Sequence, residues 1–379
     1  MVHAGGRYST KRRRSMTPQS LDTQRRDSNL IDAAQKTTQP PAQIDARELT
    51  KTLARYCEPS HRRSFAEIVI TVLPFCAMWA LSYAALQISV WLSLLIAIPA
   101  GGLLVRFFLI QHDCGHQAFF RTRVLNDWVG RVLGVFTLTP YDFWKRTHAI
   151  HHATHGNLER RGIGDIDTMT VAEYQALSRL GKLRYRVYRH PIVLFVIGPA
   201  YLFLLQHRLP VTQMRAGWTP WISAMATNAG IAALFGGMMW MVGVKSFLIV
   251  HLPIVMIAAS IGVWMFYVQH QFEETVWDHN PQWEMKHAAL LGSSHYDLPQ
   301  PLRWLTANIG IHHVHHLVSR IPYYRLHEVI ENHPELGKLG RITIKESLAT
   351  VKLTLWDEKR RKLVAFSELR SATSAGAQA

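Results

Sequence analysis

The sequence predicts an all-α integral membrane protein, with four transmembrane helices in two hairpins and a helical cap on one membrane face. Three observations predict it. Hydrophobic residues fill 48% of the 379 positions and charged ones only 18%, and the apolar residues gather in four runs close to the length of about 20 residues that spans a hydrocarbon core of about 30 Å. The runs come in pairs separated by very short turns. Three histidine-rich motifs, His112-Asp-Cys-Gly-His116, His148-Ala-Ile-His151-His152 and His312-His-Val-His315-His316, lie outside the runs.

In chain order the spans are expected at Ile68–Leu86, Ile88–Ile110, Trp221–Gly243 and Ser246–Val268. A shorter apolar run, Ile192–Gln206, is read as interfacial, re-entrant or packed under the cap. Parity supports that reading. Four crossings leave all three histidine motifs on one face, whereas a fifth at Ile192–Gln206 would put the third motif opposite the other two.

Charge orients the molecule. Arg106, Arg121, Arg123, Arg131, Lys145, Arg146 and the basic stretch 182–189 lie on the motif side, while the opposite loops carry only Lys245, so the motifs and both termini are expected in the cytoplasm. Part of the formal charge of +16 comes from residues 1–63, which include Lys11-Arg-Arg-Arg14 and few apolar residues. This segment is expected as a basic, largely disordered cytoplasmic tail near anionic headgroups. Asp22, Asp27 and Asp32 argue against a transit peptide, and the absence of an apolar core segment argues against a secretory signal. No basic patch with interleaved aromatics points to nucleic acid. Residues 64–335 form the expected membrane domain and residues 336–379 a cytoplasmic C-terminal segment. Cys57, Cys76 and Cys114 have neither metal-site spacing nor the even number of a disulfide framework.

The histidine motifs carry the chemistry. Histidine fills 21 of 379 positions, so an HxxHH pattern arises by chance at roughly one starting position in six thousand, and there are two. Residues at i, i+3 and i+4 share a helix face, so each motif presents a one-sided cluster: His112 with His116, His148 with His151 and His152, His312 with His315 and His316. Eight imidazoles exceed what one tetrahedral ion uses, which favours two metal ions sharing the set. Spacing does not name the metal. His155 and His313 lie beside the motifs but off their pattern and are read as second-shell or surface residues. His251 lies 19 residues before His270, about 30 Å away along a helix, and is read as bonding locally or facing shallow water near the opposite interface. Ligating histidines usually donate their second N–H to a carboxylate or carbonyl. Among Asp113, Asp142, Glu159, Asp165, Asp167, Glu273, Glu274 and Asp297, the pair Asp165 and Asp167 is best placed for this.

In their order and surroundings, the motifs resemble the membrane fatty acid desaturases, and within them the acyl-lipid Δ12/ω-6 and ω-3 branch. The resemblance covers about residues 60–335 and extends to Trp144-Lys-Arg-Thr-His148, Gly292-Ser-Ser-His-Tyr-Asp-Leu-Pro299 and Thr306-Ala-Asn-Ile-Gly-Ile-His312. The short first motif is similar to that branch, whereas Δ9 members have one residue more between its histidines. The resemblance implies a ninth ligand, His270 of Tyr267-Val-Gln-His270. The Δ9 members hold a metal-bound water with an Asn one turn before that histidine. Here the position is Phe266, and Asn308, one turn before His312, is the candidate substitute.

What the resemblance implies is an O2-dependent oxidoreductase with two non-haem Fe ions. It would insert a cis double bond into a membrane-lipid acyl chain, oleoyl to linoleoyl for Δ12/ω-6, in a bacterial inner membrane. No side-chain nucleophile is required beyond the metal ligands. The chain has no haem module, dinucleotide fingerprint or iron–sulfur cysteine set, so electrons are expected from a separate ferredoxin or flavodoxin, or from cytochrome b5 in a eukaryote. The alternative is a membrane hydroxylase or ketolase acting on an acyl chain, carotenoid or other lipid. A metal-transporting protein would place acidic groups along its spans, and the four apolar runs hold no Asp or Glu.

Overall fold

The structure, a computed structural model, describes residues 45–369. Its helices of six or more residues are α1 (Ala46–Leu53), α2 (His61–Leu86), α3 (Val90–Gly115), α4 (Arg123–Phe136), α5 (Tyr141–Thr154), α6 (Val171–Ala176) and α7 (Arg179–Tyr188), then α8 (Trp218–Val242), α9 (Val244–His270), α10 (Met285–Leu291), α11 (His312–Leu317), α12 (Tyr323–Asn332) and α13 (Ile344–Thr350). Four of these, α2, α3, α8 and α9, are long and apolar enough to cross a membrane, with 26, 26, 25 and 27 residues. At 1.5 Å per residue they run about 38–40 Å, longer than the hydrocarbon core. Their ends therefore project, and carry polar residues that lie outside the expected windows. Glu67 in α2 and Asp113 in α3, each 1% exposed, mean that the helices do hold acidic groups although the apolar windows do not.

Each hairpin has a local cause. Ser89 caps α3, its hydroxyl accepting from the Trp91 N–H at 3.2 Å, immediately after α2 ends. Gly243, with φ of 84°, is both the last cap of α8 and the first of α9, a left-handed turn for which glycine has no steric cost. Helix α3 is the central one: 67% of its apolar window is buried, against 22% to 33% for the others. Small residues permit that packing. A Cβ on Gly101 would lie 2.6 Å from the Ile257 side chain of α9.

The motif end is closed by the cap. Helix α4 exposes Val124, Trp128 and Val132, four residues apart on one face, as suits a helix lying in the interface. Helix α5 carries the second motif, with Asp142 and Phe143 at its start donating backbone N–H groups to Ser223 Oγ of α8 at 3.1 and 3.2 Å. The run Ile192–Gln206 becomes a π-helical segment, Val193–Leu205, interrupted by one short α turn. Together with its continuation to Arg208 it is bent by 58° from α7. Both of its ends are tied to motif-side elements. Arg189 donates to Gln271 and to the Leu353 carbonyl, and Arg208 to the Leu138 carbonyl between α4 and α5. Phe195 packs on Trp264 and Tyr267 of α9, ring centroids 5.0 and 5.2 Å apart.

One expectation needs correction. Of the tail expected at 1–63, residues 45–63 are ordered: Leu53 and Tyr56 are buried, Tyr56 Oη accepts from Asn332 at 3.0 Å, and the Ser60 N–H donates to Tyr324 Oη at 2.9 Å. Leu49, Leu53 and Tyr56 fall on one stripe of the helix, which is why it docks. Residues 1–44 lie outside the described residues. The fold is mostly helical, as expected; among the described residues five short strands accompany the helices, β1 (Met169–Thr170), β2 (His295–Tyr296), β3 (Arg341–Ile342), β4 (Leu355–Asp357) and β5 (Lys362–Val364). They make the C-terminal segment, as far as it is described, part of the cap: β3 pairs parallel with β2, and β4 pairs with β1 and β5. Residues 370–379 lie outside the described residues. Arg106, counted among the basic residues of the motif side, is buried. It is 2% exposed and ion-paired to Glu67 across α2 and α3.

Candidate metal centre

The three motifs and His270 converge where α3, α5, α9 and α11 meet. In one lobe, ligand atoms of His112, His116, His148, His152 and His315 all lie within 4.8 Å of one another. A second lobe is built from two overlapping groups under the same limit, His151, His155 and His270, and His270, His312 and His316. The lobes abut through His152 and His316, whose rings stack with centroids 4.0 Å apart. Every histidine expected as a ligand is therefore in the cluster. His116, His148 and His152 keep a partly exposed edge, while the others are at most 8% exposed.

The nitrogens point at one another. Nε2 atoms face each other at 3.1 Å for His148 and His116, 3.1 Å for His152 and His148, 3.2 Å for His151 and His270, and 3.0 Å for His312 and His270. Among the described residues, both ring nitrogens of His315 and His316 and Nδ1 of His152, His270 and His312 have no hydrogen-bond partner. Desolvation first, and then neighbouring imidazoles, hold His116, His148, His152, His312, His315 and His316 well below the usual imidazole range. They are thus neutral, with lone pairs free. Convergent neutral nitrogens that lack partners are costly by themselves and suit borderline divalent ions, so the donor set fits a pair of iron ions.

The surroundings orient the rings. Asp165 binds His151 Nδ1 through its carboxylate. Asp113 faces His112 Nδ1 at 3.3 Å with one oxygen and accepts the Tyr323 N–H at 2.7 Å with the other. Asp167 does not take the expected place: it is engaged through its backbone, the N–H donating to Tyr188 Oη at 2.9 Å and the carbonyl accepting from Arg189 at 3.2 Å. We expect Asp165→Asn to weaken metal binding about 10- to 100-fold, read as iron per purified chain, and Asp167→Asn to leave it unchanged.

Asn308 is also corrected. Residues 306–310 are turns, Asn308 has φ of 55°, and its Nδ2 donates to the Tyr323 carbonyl at 3.2 Å. The helix of the third motif starts only at His312, so Asn308 is not one helical turn before it. Phe266 packs its ring on His151 and His270 at 5.0 and 4.9 Å and shields them from water. Trp144 stacks on His148 at 4.6 Å.

His155, read beside the motifs as a second-shell or surface residue, has a ring nitrogen within the second lobe. It is 3% exposed, its ring lies 4.2 Å from that of His270, and its Nε2–H donates to the Gly292 carbonyl at 2.7 Å. Its place seven residues after His148, two helical turns, was the available signal. His313 faces away, bonded to the Leu336 carbonyl at 2.9 Å. His251 is buried between Phe235 and Phe247 and, among the described residues, bonds to nothing, so the expected local bond is not found. It lies far from the cluster.

Comparison with known proteins decides the family. A family model described as fatty acid desaturase matches residues 88–346. The chain belongs to the fatty acid desaturase family. It is therefore an oxidoreductase, and its apolar helices and histidine clusters are those of a membrane desaturase. A fatty acid desaturase of Bacillus subtilis (strain 168) is 42% identical over 324 residues, covering 86% of this chain and 92% of that one. An sn-1 oleoyl-lipid 12-desaturase of Synechocystis is 27% identical over 299 residues, covering 76% and 80%. From the same organism, an sn-1 acyl-lipid omega-3 desaturase (ferredoxin) is 27% identical over 318 residues, covering 78% and 82%.

Proposed function

We propose that this desaturase inserts a cis double bond into an acyl chain of a membrane lipid, at the Δ12/ω-6 position, with oleoyl giving linoleoyl. The observation that carries the reading is the convergence of ten histidines, eight from the three motifs with His155 beside the second and His270 of α9, into two adjoining lobes at the motif ends of four apolar helices. The short first motif and the 12-desaturase among the relatives support the regiochemistry. His112, His116, His148, His152 and His315 would hold one iron, and His151, His270, His312 and His316 the other. When bound, the iron pair supplies the power to use O2 to break unactivated C–H bonds, which no side-chain acid or base does.

The chain's own residues do the rest. Asp165 and Asp113 fix the rings of His151 and His112. Trp144 and Phe266 cover the imidazoles and keep the site dry. The acyl chain reaches the site from the bilayer, since burying each methylene is favourable by about 0.8 kcal/mol. Electron balance requires a donor. Two hydrogens removed from the chain supply two of the four electrons that turn O2 into two waters, and an external one-electron carrier supplies the other two, with two protons from water. A ferredoxin or flavodoxin suits that role in a bacterial inner membrane with the motifs and both termini facing the cytoplasm.

The test is gas chromatography with mass spectrometry of total fatty acids from a host that makes oleate but no dienes. Expression of the full chain should produce linoleate. A diene elsewhere would correct the position, and a hydroxylated chain would contradict desaturation.

A further inference from the structure

A cleft of about 300 Å³ opens outside the spans, rimmed by Arg303, His327, Lys338 and Arg341, with His295 and Ile311 at its floor. The floor residues are 9% and 4% exposed. Three of the lining side chains are permanent cations and one, Asp297, is a carboxylate. That carboxylate is already engaged by Arg303 at 3.4 Å and Arg341 at 2.6 Å, and the neighbouring Glu331 pairs with His327 at 3.3 Å. The rim is left basic.

The floor leads to the third motif. His295 Nδ1–H and His313 Nε2–H donate to carbonyls of one turn, Gly337 at 2.7 Å and Leu336 at 2.9 Å, which holds both imidazoles in place. Their centroids are 5.9 Å apart. The carbonyl of Ser294, adjacent to His295, accepts from the N–H groups of His312 and His313 at 3.2 and 3.3 Å. From His295 to His312 the route is covalent except for one hydrogen bond, and the other floor residue, Ile311, directly precedes His312 in the chain. Neither His295 nor His313 has a part in the ligand set.

We infer that this cleft is the docking site of a small acidic one-electron carrier, which its basic rim attracts and whose electron enters through the His295 floor toward His312. The inference rests on the desaturase reading above. Each encounter would oxidise the carrier by one electron, passed toward the histidines that would hold the metal pair, and two encounters would supply the two electrons that one double bond requires from the donor. An anionic lipid headgroup shares the charge preference. The polar, bonded path from the floor to the third motif favours a redox partner.

The experiment uses the full chain in nanodiscs, a plant-type two-iron ferredoxin as probe, and the variants Lys338→Glu and Arg341→Glu, with the same charge reversal at the exposed Arg184 of α7, which does not line the cleft, as control. Binding of oxidised ferredoxin should weaken about tenfold in each cleft variant and not in the control. The KM for reduced ferredoxin should rise by the same factor, with kcat at saturating ferredoxin and the rate driven by a reduced viologen both retained. Unchanged ferredoxin binding in both cleft variants overturns the docking site, as does a rise confined to the KM for the lipid substrate, which would make the cleft a headgroup site. A wild-type chain that makes no product even with viologen counts against the desaturase reading instead, and the binding measurement still decides the cleft.

Discussion

His315→Ala should abolish desaturation while the chain still reaches the membrane at the wild-type level. Both ring nitrogens of His315 lack a partner among the described residues, and its ring sits 4.5 Å from His112, 4.8 Å from His116 and 4.9 Å from His152. It stands inside the first lobe. Removing a residue that merely orients a ligand costs about 10- to 100-fold, so deleting a ligand should cost more and take product below detection. Insertion should survive, because it depends on the apolar windows of the four long helices, which do not include His315. The check is diene yield by gas chromatography against immunoblot of the membrane fraction. Product above about one per cent of wild type, with normal insertion, would remove His315 from the ligand set.

Glu67→Ala has the largest expected effect on stability. The Arg106 guanidinium binds Glu67 and the Trp304 carbonyl, donates to Thr71 Oγ1 at 3.1 Å and lies 4.3 Å from the centre of the Trp304 ring. Glu67 also accepts from Tyr323 Oη at 3.1 Å and from Arg63 at 2.7 Å. Alanine would leave a buried cation without its counter-charge, which costs about 3–5 kcal/mol. The loss should reach the metal centre, since the Tyr323 N–H holds the Asp113 carboxylate that faces His112. Thermal unfolding in detergent and iron per chain should both fall for Glu67→Ala. The double variant Glu67→Ala with Arg106→Met should recover much of the stability, because a buried pair replaced as a whole is often neutral. If both variants unfold alike, the ion pair is not the cause.

The parts of this protein legible in the sequence are those with a period or a long apolar window. Spacings of three and four place the motif histidines on common faces, and lengths near 20 residues mark the spans. His270 has no such local pattern and is named only by the desaturase resemblance; the structure puts it in both groups of the second lobe. Longer-range features were not legible. Glu67 and Arg106 stand 39 residues apart, so no local window shows that one neutralises the other. Strands of two or three residues carry no alternation to detect. Asn308 was misplaced because the helix of the third motif was assumed to begin a turn earlier, where Ala307 and Asn308 instead have φ of 50° and 55°. His155 lies at the cap of α5, just outside the helix that defines the second motif.

The central claim, that two histidine lobes hold a pair of iron ions, is tested most directly by metal content. The full chain, expressed with iron and purified in detergent, should carry about two iron ions per chain by mass spectrometry of the metal, and His270→Ala, which removes the histidine common to both groups of the second lobe, should carry about one or fewer. Iron near zero in a folded, active wild-type preparation, or a His270→Ala variant that retains two, would contradict it.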